Sequence, residues 1–232
     1  MGSSPGICIG GQPDQTCEAI SVTKQLAGNG VVMVFTKAPV PGSTKTRLIP
    51  ALGPQGAARL HKRLIQRTLS TVAQIEGVDV ELWCTPSTLD PFLISCGRHD
   101  DIPLVDQCGD DLGARMHNAF KDALRRAPWA ILIGTDVPEL EKTDITRAIL
   151  ELQSGTDAVI GPAVDGGYYL LGLRKSSSEL FNDVPWGTSQ VHATTLSRLQ
   201  ANNWTYTTID RRRDLDTLED LSYFNKSDML VI

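Results

Sequence analysis

Val31-Val-Met-Val-Phe-Thr36 is apolar almost without a break, and so is Ala130-Ile-Leu-Ile-Gly134. A strand with one face in water alternates polar and apolar residues. A run without alternation has to be covered on both faces, which calls for a sheet sandwiched between helices. Helical patterns supply the cover. Within residues 55–75, Leu60, Leu64, Thr68, Val72 and Ile75 recur at helical spacing, with Lys62, Arg63 and Arg67 on other faces. Leu112, Met116, Ala119, Phe120 and Ala123 form a second stripe. Residues 143–153, with Thr143 as the expected N-cap, and residues 188–201 read as further helices. Residues 216–223 read as a closing helix capped by Asp216 or Thr217. Residues 80–85, 104–105, 157–162, 168–173 and 205–209 read as strands. This alternation implies βαβ units and a largely parallel sheet. The close pair of strands around Gly166-Gly167 breaks the rhythm and predicts a small antiparallel insertion.

The 232 residues suffice for one α/β domain, expected over residues 29–232. Residues 1–28 are rich in Gly, Ser, Pro and Gln without periodicity and read as a flexible extension lacking the marks of a signal peptide. The net charge of −5 argues against non-specific nucleic-acid binding, which needs clustered Lys and Arg, so any phosphate site must be local. Five scattered cysteines with no CxxC pair point away from a disulfide framework or zinc site and towards a cytoplasmic protein. No run reaches the roughly 20 apolar residues of a membrane span. Oligomeric state is left open.

A basic loop comes after the first strand: Lys37-Ala-Pro39-Val-Pro-Gly42-Ser-Thr-Lys45-Thr-Arg47. Lysine offers a point charge and arginine a forked pair of donors, both suited to phosphate oxygens. It is not a Walker A loop, because Thr44 precedes Lys45 and Pro50 interrupts the next turn. The second apolar run ends in Gly134-Thr-Asp136-Val-Pro138. A carboxylate at the end of a central strand sits where α/β sheets bind ligands, and can hold a hard metal ion.

Those residues, with Asp111-Leu-Gly-Ala-Arg115-Met, Gly161-Pro-Ala-Val-Asp165-Gly166-Gly167-Tyr168 and Asp214-Leu-Asp216-Thr-Leu-Glu-Asp220, resemble in type and order the DUF2064 family over roughly residues 31–221. Its members are taken as GT-A-type glycosyltransferases, often labelled as arsenosugar biosynthesis transferases. They are related in fold to nucleotidyltransferases such as phospholactate guanylyltransferase. One departure is Trp186-Gly187-Thr188, where Trp-Ser-Thr is expected. The resemblance implies a GT-A-like three-layer sandwich with a mixed, mostly parallel central sheet. It also implies Mg²⁺ or Mn²⁺ on Asp136, joined by Asp214, Asp216 or His192. Lys37, Pro39, Gly42, Lys45, Arg47 and Arg115 would bind the nucleotide phosphates. Asp165 would be the general base, and Gly166, Gly167, Tyr168 and Trp186 would line an acceptor pocket. Most of these residues have a plainer role available. Asp136 and Asp216 can cap helices, Asp165-Gly-Gly can form a hairpin turn, and a lone histidine on a helix is commonly structural. His61, His99 and His117 show no pattern.

The expected function is metal-dependent transfer of a sugar from a nucleotide-diphosphate donor to a small-molecule acceptor. The alternatives are a nucleotidyltransferase joining a nucleoside triphosphate to a phosphorylated substrate with release of pyrophosphate, or a non-catalytic nucleotide-binding protein.

Overall fold

A computed structural model describes residues 29–225, so the expected extension over residues 1–28 lies outside the described residues. Seven strands form one sheet: β1 (Val31–Lys37), β2 (Asp79–Thr85), β3 (Leu104–Asp106), β4 (Ala130–Gly134), β5 (Ala158–Pro162), β6 (Tyr168–Leu173) and β7 (Tyr206–Thr208). Their spatial order is β3-β2-β1-β4-β6-β5-β7. Strand β6 runs antiparallel to both neighbours, β4 and β5, while the other pairings are parallel. The expected antiparallel insertion is therefore a strand laid inside the sheet.

The unbroken apolar runs are explained by two covers. From β1, Val32 and Val34 enter one core, with Ile131 and Ile133 of β4 and with Ile65, Leu69 and Ile145 from helices. Val31, Met33, Ala130 and Leu132 enter the opposite core, with Met116, Phe120 and Leu199. The first cover comes from α1 (Ile49–Val72), α2 (Pro91–Asp100) and α4 (Lys142–Gln153), the second from α3 (Leu112–Arg126) and α5 (Val191–Ala201). Helix α1 is broken near its start, where Gly53 takes a positive φ before Pro54. A third, smaller cluster joins Leu48, Leu60 and Leu64 to Leu215, Leu221 and Phe224, the last two on α6 (Leu218–Asn225).

Three expectations are corrected. Helix α2 has no counterpart among the elements expected from the sequence. It is short, and its clearest signal is Asp90, whose carboxylate caps the N–H groups of Phe92 and Leu93. Helix α4 is capped earlier than at Thr143: it starts at Lys142, and the Asp144 carboxylate reaches back to the N–H of Glu141 at 3.0 Å. Helix α5 begins at Val191, since residues 188–190 form turns. Among the described residues, no helix is long and apolar enough to cross a membrane.

Candidate active site at the carboxyl edge of the sheet

Six strands share one direction, so their carboxyl ends lie along a single edge. The strand order reverses between β1 and β4, with β2 and β3 to one side and the later strands to the other. Ligands in open α/β sheets bind outside such a reversal. Lys37 ends β1 there, and Asp136 lies two residues beyond the end of β4.

The loop after β1 leaves the sheet and returns as a short 3-10 turn over Thr46–Leu48. Lys45 stands at its entrance with φ 47° and ψ 43°, a left-handed backbone that costs a residue with a Cβ about 1–2 kcal/mol. That conformation accompanies a side chain turned inward. The Lys45 side chain is only 4% exposed, and Nζ lies 2.5 Å from Asp136 Oδ1 and 2.7 Å from Asp216 Oδ1. Nζ also donates to the carbonyl oxygen of Leu215 at 2.8 Å. Burial disfavours the ammonium, but the charges of Asp136 and Asp216 prevail and hold its pKa above the ordinary lysine value. Burial likewise opposes the Asp136 carboxylate, and Lys45, with help from His61, holds its pKa below the usual range.

Asp216 reaches this point through packing. Leu48, three residues after Lys45, and Leu215, just before Asp216, are both fully buried in the third cluster. The Leu215 N–H donates to the Asp136 carbonyl oxygen at 2.8 Å, which binds the two carboxylate-bearing segments together. The sequence allowed Asp216 to be a helix cap. Instead Thr217 and Asp220 cap α6 reciprocally: Asp220 Oδ2 accepts from the Thr217 N–H at 2.9 Å, and Thr217 Oγ1 accepts from the Asp220 N–H at 3.3 Å. The Asp216 carboxylate is left for Lys45.

His61, which shows no pattern in the sequence, belongs to this cluster. Its side chain is 6% exposed and its Nδ1 lies 4.0 Å from Asp136 Oδ1. Its Nε2 lies 3.0 Å from the Lys37 carbonyl oxygen, an acceptor only, so Nε2 carries the hydrogen and Nδ1 the lone pair. Burial pushes its pKa down despite Asp136, which keeps the ring neutral. Its helical spacing on α1 with Leu60 and Leu64 reads as ordinary core, so only the return of the Lys37–Lys45 loop over α1 marks it.

A second group lies at the β5–β6 turn. Asp165 is exposed, and its Oδ1 accepts from the Gly167 N–H at 2.8 Å. Gly166 has φ 91°, and a Cβ there would meet the Ser189 carbonyl oxygen at 2.3 Å, so only glycine fits. The Gly166 carbonyl oxygen accepts from the His192 N–H at 2.9 Å, which docks the start of α5 on the turn. Burial, then the charge of Arg211, pushes the His192 pKa down. Tyr168 meets Trp186 edge-on at 6.3 Å between ring centroids. Asp214 links the groups: burial, then the charge of Asp165, then that of Asp216 among others, pushes its carboxyl up to about 6.

The expected phosphate-binding residues divide. Lys37 Nζ donates to the Ser43 carbonyl oxygen at 2.7 Å, folding the loop on itself, and Arg47 is exposed. Pro39 shares the same loop, with Gly42 at its tip in a left-handed conformation. Arg115 is on α3, where its Nε donates to the Gly109 carbonyl oxygen at 3.0 Å. Of the expected metal ligands, Asp136 and Asp216 meet on one cation, whereas His192 and Asp214 stand with the β5–β6 turn. Among the described residues, no three His, Cys, Asp or Glu side chains are arranged to hold a metal ion. The donor chemistry still fits a hard divalent cation. Asp136 and Asp216 are oxygen donors that already converge on a positive charge, and their side chains keep 44% and 35% exposure for water or ligand oxygens to complete a shell.

Known proteins share this architecture. A protein from Desulfovibrio desulfuricans G20 that carries the provisional name nucleotide-diphospho-sugar transferase superposes with a TM-score of 0.79 at 29% identity, over 87% of this chain and 88% of that one. The 4-diphosphocytidyl-2C-methyl-D-erythritol synthase of Anaerococcus prevotii DSM 20548 gives 0.57 at 10% identity, over 88% and 98%. Glucosyl-3-phosphoglycerate synthase of Mycobacterium tuberculosis gives 0.51 at 12% identity, over 86% and 77%. No curated protein matches the chain in sequence. The fold is thus that of nucleotide-diphospho-sugar transferases and nucleotidyltransferases. The family described as "Uncharacterized protein conserved in bacteria (DUF2064)" matches residues 68–188, just over half the chain, and the protein is a member of that family.

Proposed function

We propose that the protein is a metal-dependent glycosyltransferase that moves a sugar from a nucleotide diphosphate to a small-molecule acceptor. The observation that carries this reading is the meeting of Asp136 and Asp216 with Lys45 at the reversal point of the sheet, beside the Asp165 turn. Cation-binding carboxylates, phosphate-binding amines and an exposed candidate base then lie along one edge. Asp136 and Asp216 would hold Mg²⁺ or Mn²⁺. When bound, such an ion neutralises the diphosphate leaving group. The M. tuberculosis synthase of the same fold was solved with Mn²⁺ and uridine diphosphate, which supports the choice of ligand.

In this reading Lys37, Lys45 and Arg47 hold phosphate oxygens from the loop after β1, joined by Arg115 from the first turn of α3. Asp165 accepts the proton of the acceptor hydroxyl. Its Oδ1 accepts from the Gly167 N–H, which leaves Oδ2 as the proton acceptor. Gly166, required by the close approach of Ser189, and Gly167 shape the turn beside the acceptor, and Tyr168 and Trp186 form the wall next to it. His192 holds the turn through its N–H on the Gly166 carbonyl oxygen, and Asp214 lies within electrostatic reach of Asp165. The proposal keeps the enzyme in the cytoplasm, in line with Cys84 and Cys96 as buried thiols.

The deciding experiment is a thermal-shift screen of nucleotides and nucleotide sugars with and without Mn²⁺, with product analysis of any hit. A true donor raises Tm in proportion to the logarithm of its concentration over Kd. The expected result is a Mn²⁺-dependent shift with one nucleotide sugar, lost in Asp136→Ala, and release of free nucleoside diphosphate. Release of pyrophosphate from a nucleoside triphosphate would make the protein a nucleotidyltransferase instead. Binding without either product, unchanged in Asp165→Ala, would make it a non-catalytic binder.

A further inference from the structure

Three oxygens surround the Lys45 ammonium: it donates to Asp216 Oδ1 at 2.7 Å and to the Leu215 carbonyl oxygen at 2.8 Å, and forms an ion pair with Asp136 Oδ1 at 2.5 Å. Held in this way, the ammonium has no donor left for a phosphate oxygen. It also occupies the point where the two carboxylates converge. We propose that Lys45 is a resident counter-ion for the Asp136–Asp216 pair, that a divalent cation takes its place there, and that the displaced ammonium then becomes available to the diphosphate. This rests on the metal reading above and adds an order of events to it.

The balance of charge favours exchange over addition. Two carboxylates and one ammonium carry one net negative charge. A divalent cation added beside the retained ammonium would set two positive centres side by side on the same pair of carboxylates, where their repulsion opposes binding. Replacing the ammonium avoids that repulsion and leaves both carboxylates paired.

A second feature points the same way. His61 Nδ1 is a buried lone pair without a hydrogen-bond partner, 4.0 Å from Asp136 Oδ1. A lone pair facing a carboxylate is repelled by it, and both are relieved by a cation between or beside them. The unpartnered Nδ1 beside Asp136 therefore adds to the attraction for an incoming ion. The exit route is short: residues 40–43 of the loop are exposed, and the four-carbon stem of Lys45 swings without moving the sheet.

The test uses Mn²⁺ alone, by calorimetry, on the wild type, Lys45→Met and Asp136→Asn. Removing the counter-ion should tighten Mn²⁺ binding in Lys45→Met at least tenfold relative to the wild type, although the same change weakens diphosphate binding. Equal or weaker binding overturns the exchange. If Mn²⁺ binds wild type and Lys45→Met equally and Asp136→Asn abolishes it, the metal site stands and the exchange falls. If Mn²⁺ binds none of the three, both fall. Should Lys45→Met not fold, wild-type protein decides. Acetic anhydride should modify Lys45 slowly without metal and at least tenfold faster at saturating Mn²⁺, as read by mass spectrometry. An unchanged rate overturns the proposal.

Discussion

His61 shows how much a single residue's meaning depends on its partners. Its Nε2–H satisfies the carbonyl oxygen of Lys37, at the very end of β1, while its neutral ring lies against Asp136. Replacing it with leucine keeps the apolar packing on α1 but removes the ring's hydrogen bond to the Lys37 carbonyl oxygen, which keeps only the longer contact from Thr36 Oγ1 at 3.4 Å. The expected cost is about 0.5–1.5 kcal/mol, read by urea denaturation. A loss below about 0.5 kcal/mol would mean that water replaces the ring freely. Lys45 was legible as a cation in a basic loop, and Asp136 as a carboxylate at a strand end. That the two form an ion pair was not legible, because α1, β2, α2, β3, α3 and β4 all lie between them in the chain. Asp216 was harder still. A capping role explains it equally well until Thr217 and Asp220 are seen to cap α6.

At the scale of elements, the strands were the most legible part, because burial on both faces leaves an unbroken apolar run. Short or weakly patterned elements were not: α2 has a broken stripe, and α5 begins only after a series of turns that continue its polar composition. The outer edge of the sheet rests on a local device. Asp157 Oδ2 accepts from the Thr205 N–H at 2.9 Å, and Lys175 pairs with Oδ1 at 3.0 Å, tying the start of β5 to the edge strand β7. Burial opposes the charged form, but the hydrogen bonds from Lys175 and Thr205 together outweigh it and hold the Asp157 carboxyl below its ordinary value. A folded-state pKa below the unfolded one contributes stability above the unfolded value of 3.8 and loses it as pH falls through the folded one. Asp157→Asn should therefore cost about 1 kcal/mol at pH 7. The gap to the wild type should close below pH 4, and chemical denaturation at both pH values checks it. A gap that persisted at low pH would assign the effect to shape rather than charge.

At the scale of the whole molecule, the last segment is what completes the site. Residues 209–217 cross the carboxyl edge and deliver Asp214 and Asp216 next to loops from the first half of the chain. Their course is held by Arg212, whose Nε and Nη2 pair with the buried Asp144 carboxylate on α4 at 3.1 and 2.9 Å. Arg212→Met should strand a buried charge and cost about 3–5 kcal/mol. It should also weaken Mn²⁺-dependent nucleotide binding, because Asp216 loses its support. Stability and binding measured together check this, and a stability loss with unchanged binding would show that Leu215 alone holds Asp216 in place. In the run Arg211-Arg212-Arg213, two of the three arginines thus have structural partners, the other being Arg213 on Asp220 at 2.9 Å. Nothing in the run itself distinguishes those roles from a solvated turn.

By itself the sequence determined the α/β layering, the strand ends where ligands bind and the set of polar residues available there. These come from short-range periodicity and from the rule that apolar runs must be covered. Only the tertiary structure decided which of those residues touch. Lys45, His61, Asp136 and Asp216 meet because a parallel sheet gathers its carboxyl ends on one edge. Leu48 and Leu215 then pack into one cluster beneath them. Such contacts between distant segments are set by burial and chain path, and they leave no spacing in the sequence to read.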